Sequence, residues 1–525
     1  MRILILSLIF TISTISLFAQ VENIMIGSNG EPEEPSIYIN SKNPAIVIAA
    51  ANINVLYIST DTGRTWTEQT MTSNSGVWGD PCLISDTVGD FYYLHLANPP
   101  SSSGHWIDRI VCQKYNTDQN YWEKDTFMGL NGAPDYAQDK EWIAVDRTNN
   151  NLYVTWTQFD DYGTYDTSKK SIILFSKSID NGYSWSVAQR INEVEGDCID
   201  SDNTVEGAVP AVGPNGEVYV SWAGPEGLVF DKSIDGGNTW LDNDIFVSDI
   251  PGGWDYDIPG ISRCNGLPIT DCDVSGGIYN GNIYINWSDQ RNGLNNTDVW
   301  LAKSTDGGST WSAPIKVNND NGQHHQFLTW MDIDQSNGYI YFVFYDRRNY
   351  ADNQTDVTLA ISKDGGQTFE NHIISESPFV PVTSVFFGDY CNISANNGIV
   401  RPIWTRFDNQ NQLSVWTALI NPETILSAES SMKKNEELSA NIYPNPSNDI
   451  VYFSFKLKKS SKVKLEVFDQ KGSHIATLID GELYSAGMHI EHISTSELQL
   501  SEGVYQFSFT SDNQSIVKSF VLKGE

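Results

Sequence analysis

The chain has 525 residues and carries 32 Lys and Arg against 66 Asp and Glu, a formal charge of −34. Only 19% of residues are charged and 12% are aromatic, so the imbalance reflects few basic side chains on a chain rich in core-forming ones, which excludes disorder. It also excludes nucleic acid and anionic membrane surfaces as partners, because both demand a basic footprint.

Met1 and Arg2 precede an apolar run at 3–18, followed by Ala19 and Gln20. One basic residue, a hydrophobic stretch and a small residue predict a secretory signal at 1–20. The run is shorter than the ~20 residues a spanning helix needs. No later segment is long and apolar enough to cross, so no transmembrane segment is expected and the mature chain should be extracellular. Export makes disulfides reasonable. Cys264 and Cys272 bracket a short loop and form one candidate pair; Cys82 and Cys112 form another, with free buried thiols as the alternative. No C-x-x-C occurs, so no zinc or redox motif is expected.

The dominant feature is an internal repeat. STDTGRTW at 59–66 recurs as SIDNGYSW at 178–185, SIDGGNTW at 233–240, STDGGSTW at 304–311 and SKDGGQTF at 362–369, with a degenerate copy at 116–122. Asp in such a segment accepts hydrogen bonds from turn amides, Gly supplies a positive φ, and the aromatic ring packs beneath. Asp61, Asp180, Asp235, Asp306 and Asp364 are therefore expected to be structural. Each copy sits in a longer unit with an aromatic strand before it, as at 151–156, 216–222 and 281–287. Seven units of four strands are counted, six being the alternative, which predicts an all-β propeller over 21–420. The seventh unit lacks a fourth strand, and the segment 22–27 is expected to supply it and close the ring.

The pattern S-x-D-x-G-x-T-W resembles the Asp-box of BNR-repeat, sialidase-like propellers. After a polar linker at 421–440, YPNP at 443–446 opens alternating strands that end in a G-x-Y segment at 503–505 and a late Lys523. This part, 441–525, is expected to be a small β-sandwich. It resembles the type A C-terminal sorting domain of type IX secretion substrates in Bacteroidetes, which implies the type IX machinery as a partner. It holds 8 Lys against 10 Asp and Glu, so nearly all the negative charge lies on the propeller.

In a four-stranded blade the innermost strand lines the axis, and the loop leading into it shares one face with the loop between strands two and three. The Asp-box turns lie on the other face. Polar residues gather where innermost strands begin: Glu33 and Glu34, Asp80, Asp139 with Lys140 and Glu141, Glu206, His324 and His325, and Asp389. The loops after second strands add Arg291, Arg347, Arg348 and Arg406. Trp78, Trp142, Trp254 and Trp330 are candidates for stacking on sugars. Sialidase resemblance implies an Arg triad for the substrate carboxylate, a Tyr nucleophile paired with Glu, and an Asp acid/base. The family's first Arg belongs to an R-I-P motif, but the matching position here is Glu34-Pro35-Ser36, without Arg.

Three readings follow. One is a secreted glycoside hydrolase acting on extracellular glycan or glycoprotein, with Asp80, Asp139, Glu206 and Asp389 as catalytic candidates. In that reading Arg291, Arg347, Arg348, Arg406, His324, His325 and Trp142 are substrate-binding candidates. The second is a noncatalytic surface propeller. The third is a structural protein whose carboxylates hold Ca²⁺; otherwise no cofactor is required.

Overall fold

The computed structural model describes residues 21–101, 104–131, 136–408 and 412–422, and 439–523 except for 444, 446, 448, 458, 471 and 512–513. The signal expected at 1–20 and most of the expected linker, 423–438, lie outside these residues. The chain forms two compact units, one spanning Gln20–Pro422 and one holding the residues from Glu423 onward.

The first unit is a ring of seven antiparallel sheets of four strands, with a short fifth strand in the second and third; the first six run in sequence order. The innermost strands are Ser36–Ile39, Gly79–Ser85, Ala137–Val145, Glu206–Val212, Ile269–Cys272, Gln326–Asp334 and Asn392–Asn396, for blades 1 to 7. Each packs against the innermost strand of the next blade, and the seventh packs against the first. The seventh sheet is completed by Asn23–Gly27, which pairs antiparallel with Leu413–Ala418 through Asn23 opposite Ala418 and Met25 opposite Trp416. Ile26 is buried there beside Val415 and Ile403.

Blades stack face to face, so both faces of the inner strands are covered. This is why Leu152–Phe159 and Tyr339–Asp346 read as near-continuous aromatic and β-branched runs instead of alternating. Trp156, Trp222, Trp287 and Trp404, all on second strands, are among the largest fully buried side chains.

The repeated octapeptides join third and fourth strands. In the first, Asp61 Oδ1 accepts from the amides of Thr65 (2.9 Å) and Arg64 (3.1 Å) and from Ser59 Oγ (2.8 Å), while Oδ2 accepts from Thr65 Oγ1 (2.7 Å). Gly63 at φ 84° carries the turn. Asp180, Asp235, Asp306 and Asp364 repeat the contact to the residue four positions on. These bonds hold Asp61 and Asp306 ionised, at about 2, which is the behaviour of a turn clamp.

The second unit packs the sheet Ser439–Tyr443, Ile450–Leu457, Gly487–Ser494 against a four-stranded sheet whose centre is Ser461–Asp469 and Gly503–Ser511. Phe453 and Phe455 from one sheet meet Leu465, Val467, Phe507 and Phe509 from the other in one sandwich core.

The cysteine expectation is corrected. All six are free and buried. Leu94 pairs with both Cys82 and Cys112 across its two neighbours, so those cysteines are two strand spacings apart, roughly 10 Å. That exceeds the Cα separation a disulfide tolerates. Cys264 precedes the innermost strand of blade 5 and Cys272 ends it, so the strand's length keeps them apart. The thiols of Cys82, Cys112, Cys264 and Cys272 are pushed upward by burial, the behaviour of inert core groups.

Candidate functional site at one end of the axis

Six innermost strands are approached through a residue in the left-handed region: Glu34 (φ 50°), Asp80 (53°), Lys140 (53°), Gly207 (77°), Leu328 (48°) and Gly388 (91°). In blades 2, 3, 4 and 6 this position is a bulge, with the register shifting between Gly79 and Cys82, Asp139 and Trp142, Glu206 and Val209, and Phe327 and Trp330. A bulge inserts one residue and re-aims the side chains around it. Here it turns charged side chains over the end of the axis. Glu34, Asp80 and Lys140 hold backbone conformations that non-glycine residues adopt at a cost of ~1–3 kcal/mol each, a strain found where a site is built.

Lys140 is the hub. Its Nζ lies 2.7 Å from Asp389 Oδ2, 3.2 Å from Asp80 Oδ2 and 3.4 Å from Glu34 Oε1. Arg263 grips Asp389 from the other side, through Nε to Oδ1 (2.9 Å) and through Nη2 to Oδ2, and its Nη1 reaches Asp200 Oδ2 at 3.4 Å. Asn52 donates from Nδ2 to Glu34 Oε2 (2.5 Å) and Glu33 Oε2 (3.2 Å), and its Oδ1 accepts from the Asp80 amide (2.7 Å). The Asp389 amide donates to Glu34 Oε1 (3.1 Å).

Beside this network lies a cavity of about 220 Å³. Glu33, Glu34, Asp80, Asp139 and Lys140 form its polar wall, and Trp78, Trp106, Tyr162 and Phe386 its aromatic wall. Trp78 and Trp106 meet edge to face at 5.7 Å, and Trp106 meets Tyr162 likewise at 5.8 Å. Both tryptophans are about 40% exposed, at 40% and 43%.

The carboxyl groups divide into two kinds. Burial pushes Asp389 up, but Lys140 and Arg263 outweigh it and hold that carboxyl well below its usual range. Glu33, Glu34, Asp139 and Glu206 go upward, chiefly by burial. Glu33 rises to about 8, with Asp80 and Asp389 adding to the push against Asn52. Asp139 rises to about 7, with Asp80 and Asp200 adding to it and Lys140 opposing. Glu34 and Glu206 are pushed well up in the same way. Asp139 is 6% exposed; its Oδ1 accepts from the following amide at 3.0 Å, the one hydrogen bond its carboxyl makes among the described residues. Glu206 is 2% exposed, and its carboxyl accepts no hydrogen bond among the described residues. Two buried, proton-retaining carboxyl groups with unspent hydrogen-bonding capacity are the chemistry of a general acid or base.

Of the four catalytic candidates read from the sequence, Asp80 and Asp139 line the cavity, Glu206 interacts with Asp139 and Asp200 behind it, and Asp389 is locked beneath by its two cations. The expected arginine and histidine set does not converge here. Arg291 is held by Asp289 and lies over Trp300. Arg347 donates to Pro259 O (2.7 Å) and Thr355 Oγ1 (3.0 Å). Arg348 pairs with Asp346 (2.6 Å), and Arg406 lies over Trp416. His325, paired with Thr297 Oγ1 at 3.0 Å, is kept neutral by burial, which lowers it to about 4. The His324 amide donates to Asn296 Oδ1 at 3.2 Å, in the loop before blade 6. Arg291, Arg348 and Arg406 are thus held by side chains of their own blades and do not reach over the axis.

Trp142 sits below the cluster, tilted against Trp330 (4.4 Å) and edge to face with Tyr390 (5.1 Å). This plug separates the acidic end from a larger axial chamber, about 430 Å³, open towards the octapeptide turns. Asp271 and Asp332 in that chamber each cap the next blade, through the Ile333 amide (3.0 Å) and the Ala395 amide (2.6 Å). Among the described residues, no group of three or more His, Cys, Asp or Glu is arranged to hold a metal ion.

The residues that sequence reasoning missed are Arg263, Asp200, Asn52, Trp106, Tyr162 and Phe386. Arg263 lies in the loop before the innermost strand of blade 5, so the same positional rule would have found it had that long loop been followed back far enough.

Residues 441–523 match the family described as the secretion system C-terminal sorting domain. No curated protein matches the chain. Among solved structures the chain is similar to the Hadza microbial sialidase Hz136, at 14% identity and TM-score 0.41, covering 71% of this chain and 73% of that one. It is similar to Trypanosoma rangeli sialidase in complex with the inhibitor DANA, at 12% identity and TM-score 0.40, covering 88% and 87%. It is also similar to a PL25 ulvan lyase, at 14% identity and TM-score 0.44, covering 78% and 99%. These are likenesses of fold and carry no residue role to this chain. No described helix is long and apolar enough to cross a membrane. The C-terminal match places the protein among substrates of type IX secretion, delivered to the cell surface or the extracellular space.

Proposed function

We propose that the protein is a secreted glycoside hydrolase acting on extracellular glycan in the acidic cavity at the end of the propeller axis. The observation that carries this reading is the pair Asp139 and Glu206: buried carboxyl groups that retain protons near neutrality and leave hydrogen-bonding capacity unspent. Glycoside hydrolysis needs one carboxyl that is still protonated at working pH and one that is ionised. Asp139 stands ready as the proton donor. Asp80, on the same wall and 3.2 Å from Lys140 Nζ, is the second carboxyl of the pair. Trp78 and Trp106 supply faces on which a sugar ring can stack. A carboxylate sugar is disfavoured, because Arg291, Arg347, Arg348 and Arg406 are all committed elsewhere.

The test is a glycan panel with reducing-sugar readout on the full-length protein. Asp139→Asn and Glu206→Gln should abolish turnover while binding persists. Turnover unchanged in both variants would sink the assignment. Binding without turnover by the wild type would leave the second reading, a noncatalytic glycan-binding propeller, which the exposed tryptophans equally support.

A further inference from the structure

The charge of the cavity decides what kind of sugar it can hold. Among the described residues on its walls there are two cations, Lys140 and Arg263. Both are spent: Lys140 Nζ contacts three carboxylates, and Arg263 is shared between Asp389 and Asp200. All three N–H groups of Lys140 are thus engaged, and the bonds Arg263 makes all run to carboxylates. Also on the wall are Asp139, 6% exposed, whose carboxyl makes one hydrogen bond among the described residues, to the following amide, and Glu33, which Asn52 contacts through a 3.2 Å hydrogen bond. Each of these carboxyls keeps its proton near neutrality for want of a counter-charge, and an ammonium group can take that proton's place.

A second observation is independent of the carboxylates. Trp78, Trp106 and Tyr162 form a wall of edge-to-face rings around the mouth, with Trp78 and Trp106 exposed. Such a wall presents π faces to the solvent beside a floor of carboxyl groups. Aromatic faces attract cations through the ring quadrupole, and cages of this kind recognise alkylammonium groups. Phe386 already plays this role for Arg263, whose guanidinium carbon lies 5.0 Å from the ring centre.

We propose that the cavity takes a glycan carrying a positively charged amine, an oligosaccharide of amino sugars whose nitrogen is not acetylated, with the ammonium donating to Asp139 and Glu33, which release their protons as it binds, beneath the Trp78 and Trp106 rings. This rests on reading the cavity as a glycan site and adds the charge class of its ligand. Acetylation would remove both the charge and two donors, leaving Asp139 unpaired.

Calorimetric titration of the full-length protein tests it, at about pH 6, where the sugar amine is protonated. Glucosamine oligomers, N-acetylglucosamine oligomers of equal length and sialyllactose are the three ligands. Glucosamine oligomers should bind at least about tenfold more tightly than the acetylated series, and sialyllactose should not bind. Trp106→Ala, a change at an exposed ring, should weaken glucosamine binding by about tenfold with an unchanged melting curve. Asp139→Asn should erase the preference for the amine while keeping weak stacking affinity. Equal affinity for free and acetylated oligomers, or preferred binding of sialyllactose, overturns the proposal. Cleavage of a neutral glycan without amine preference would leave the hydrolase reading standing and remove this one. Amine-selective binding without cleavage would do the reverse.

Discussion

Lys140 Nζ and Asp389 Oδ2 lie 2.7 Å apart, joining blade 3 to blade 7 across the end of the axis. Both side chains are buried, and Arg263 adds a link to the loop before blade 5. The pair therefore acts as a clasp over the ring as well as a charge anchor for Glu34 and Asp80. Removing one partner of such a pair strands the other charge without its counter-ion. Lys140→Met should cost about 3–5 kcal/mol, read as a lower melting temperature, and adding Asp389→Asn should recover part of the loss. A single variant that melts like the wild type would show that the clasp carries no weight.

Stability should depend on pH in a direction set by the upward-shifted carboxyls. Glu33 moves from 4.5 unfolded to about 8 folded, and Asp139 from 3.8 to about 7. Between those limits the folded state holds protons that the unfolded state has released, so stability falls as pH rises. Asp389 and Lys140 do not disturb this window. The downward shift of Asp389 removes stability only in acid, and the upward shift of Lys140 does so only in strong base. Melting temperature should therefore be higher at about pH 5 than at about pH 8, and Glu33→Gln should flatten the slope. A melting temperature that climbs across that interval would contradict the assignment.

Ring closure rests on one strand. Ile26 is buried against Val415 and Ile403, whereas its neighbour Met25 is half exposed. Ile26→Ala should cost about 2–5 kcal/mol. Met25→Ala should change stability by less than about 0.5 kcal/mol. Chemical denaturation of the two variants side by side checks the facing of the strand; equal effects would mean the closing strand is not held as described.

Six buried thiols make a chemical prediction. An alkylating reagent should label no cysteine in the native protein and all six after denaturation without reductant, read by mass. A reducing agent should leave the melting temperature unchanged. Four or fewer labels in the unfolded, unreduced chain would reveal a disulfide.

Much of the propeller was legible because its periodicity is strong. The octapeptide turns, the aromatic second strands and the N-terminal strand of the seventh blade each leave a local signal, and the sheets lie where those signals put them. Part of the site was legible as well. Asp80 and Asp139 reach the cavity because they sit at the bulge that begins an innermost strand, a position fixed by the repeat. The arginines were not legible. Arg291 and Arg348 each follow an Asp by two residues and fold back onto it, a short-range pairing that spacing alone cannot distinguish from an outward reach to substrate. Arg263, Trp106 and Tyr162 come from loops without repeat character, where only the folded path decides what meets. The disulfide expectation failed for a related reason: closeness in sequence was converted into closeness in space, and antiparallel pairing separated the cysteines.

The seventh blade has a consequence for the order of events during export. Its fourth strand, Asn23–Gly27, belongs to the beginning of the chain, and its first three strands belong to residues beyond 390. The ring cannot lock until nearly the whole propeller has been made. Pairing across so long a separation is also slow, because the loop-closure entropy comes before any reward. A chain that must cross a membrane benefits from that delay: the same join that later seals the barrel of blades keeps the emerging polypeptide from committing to its final shape too early.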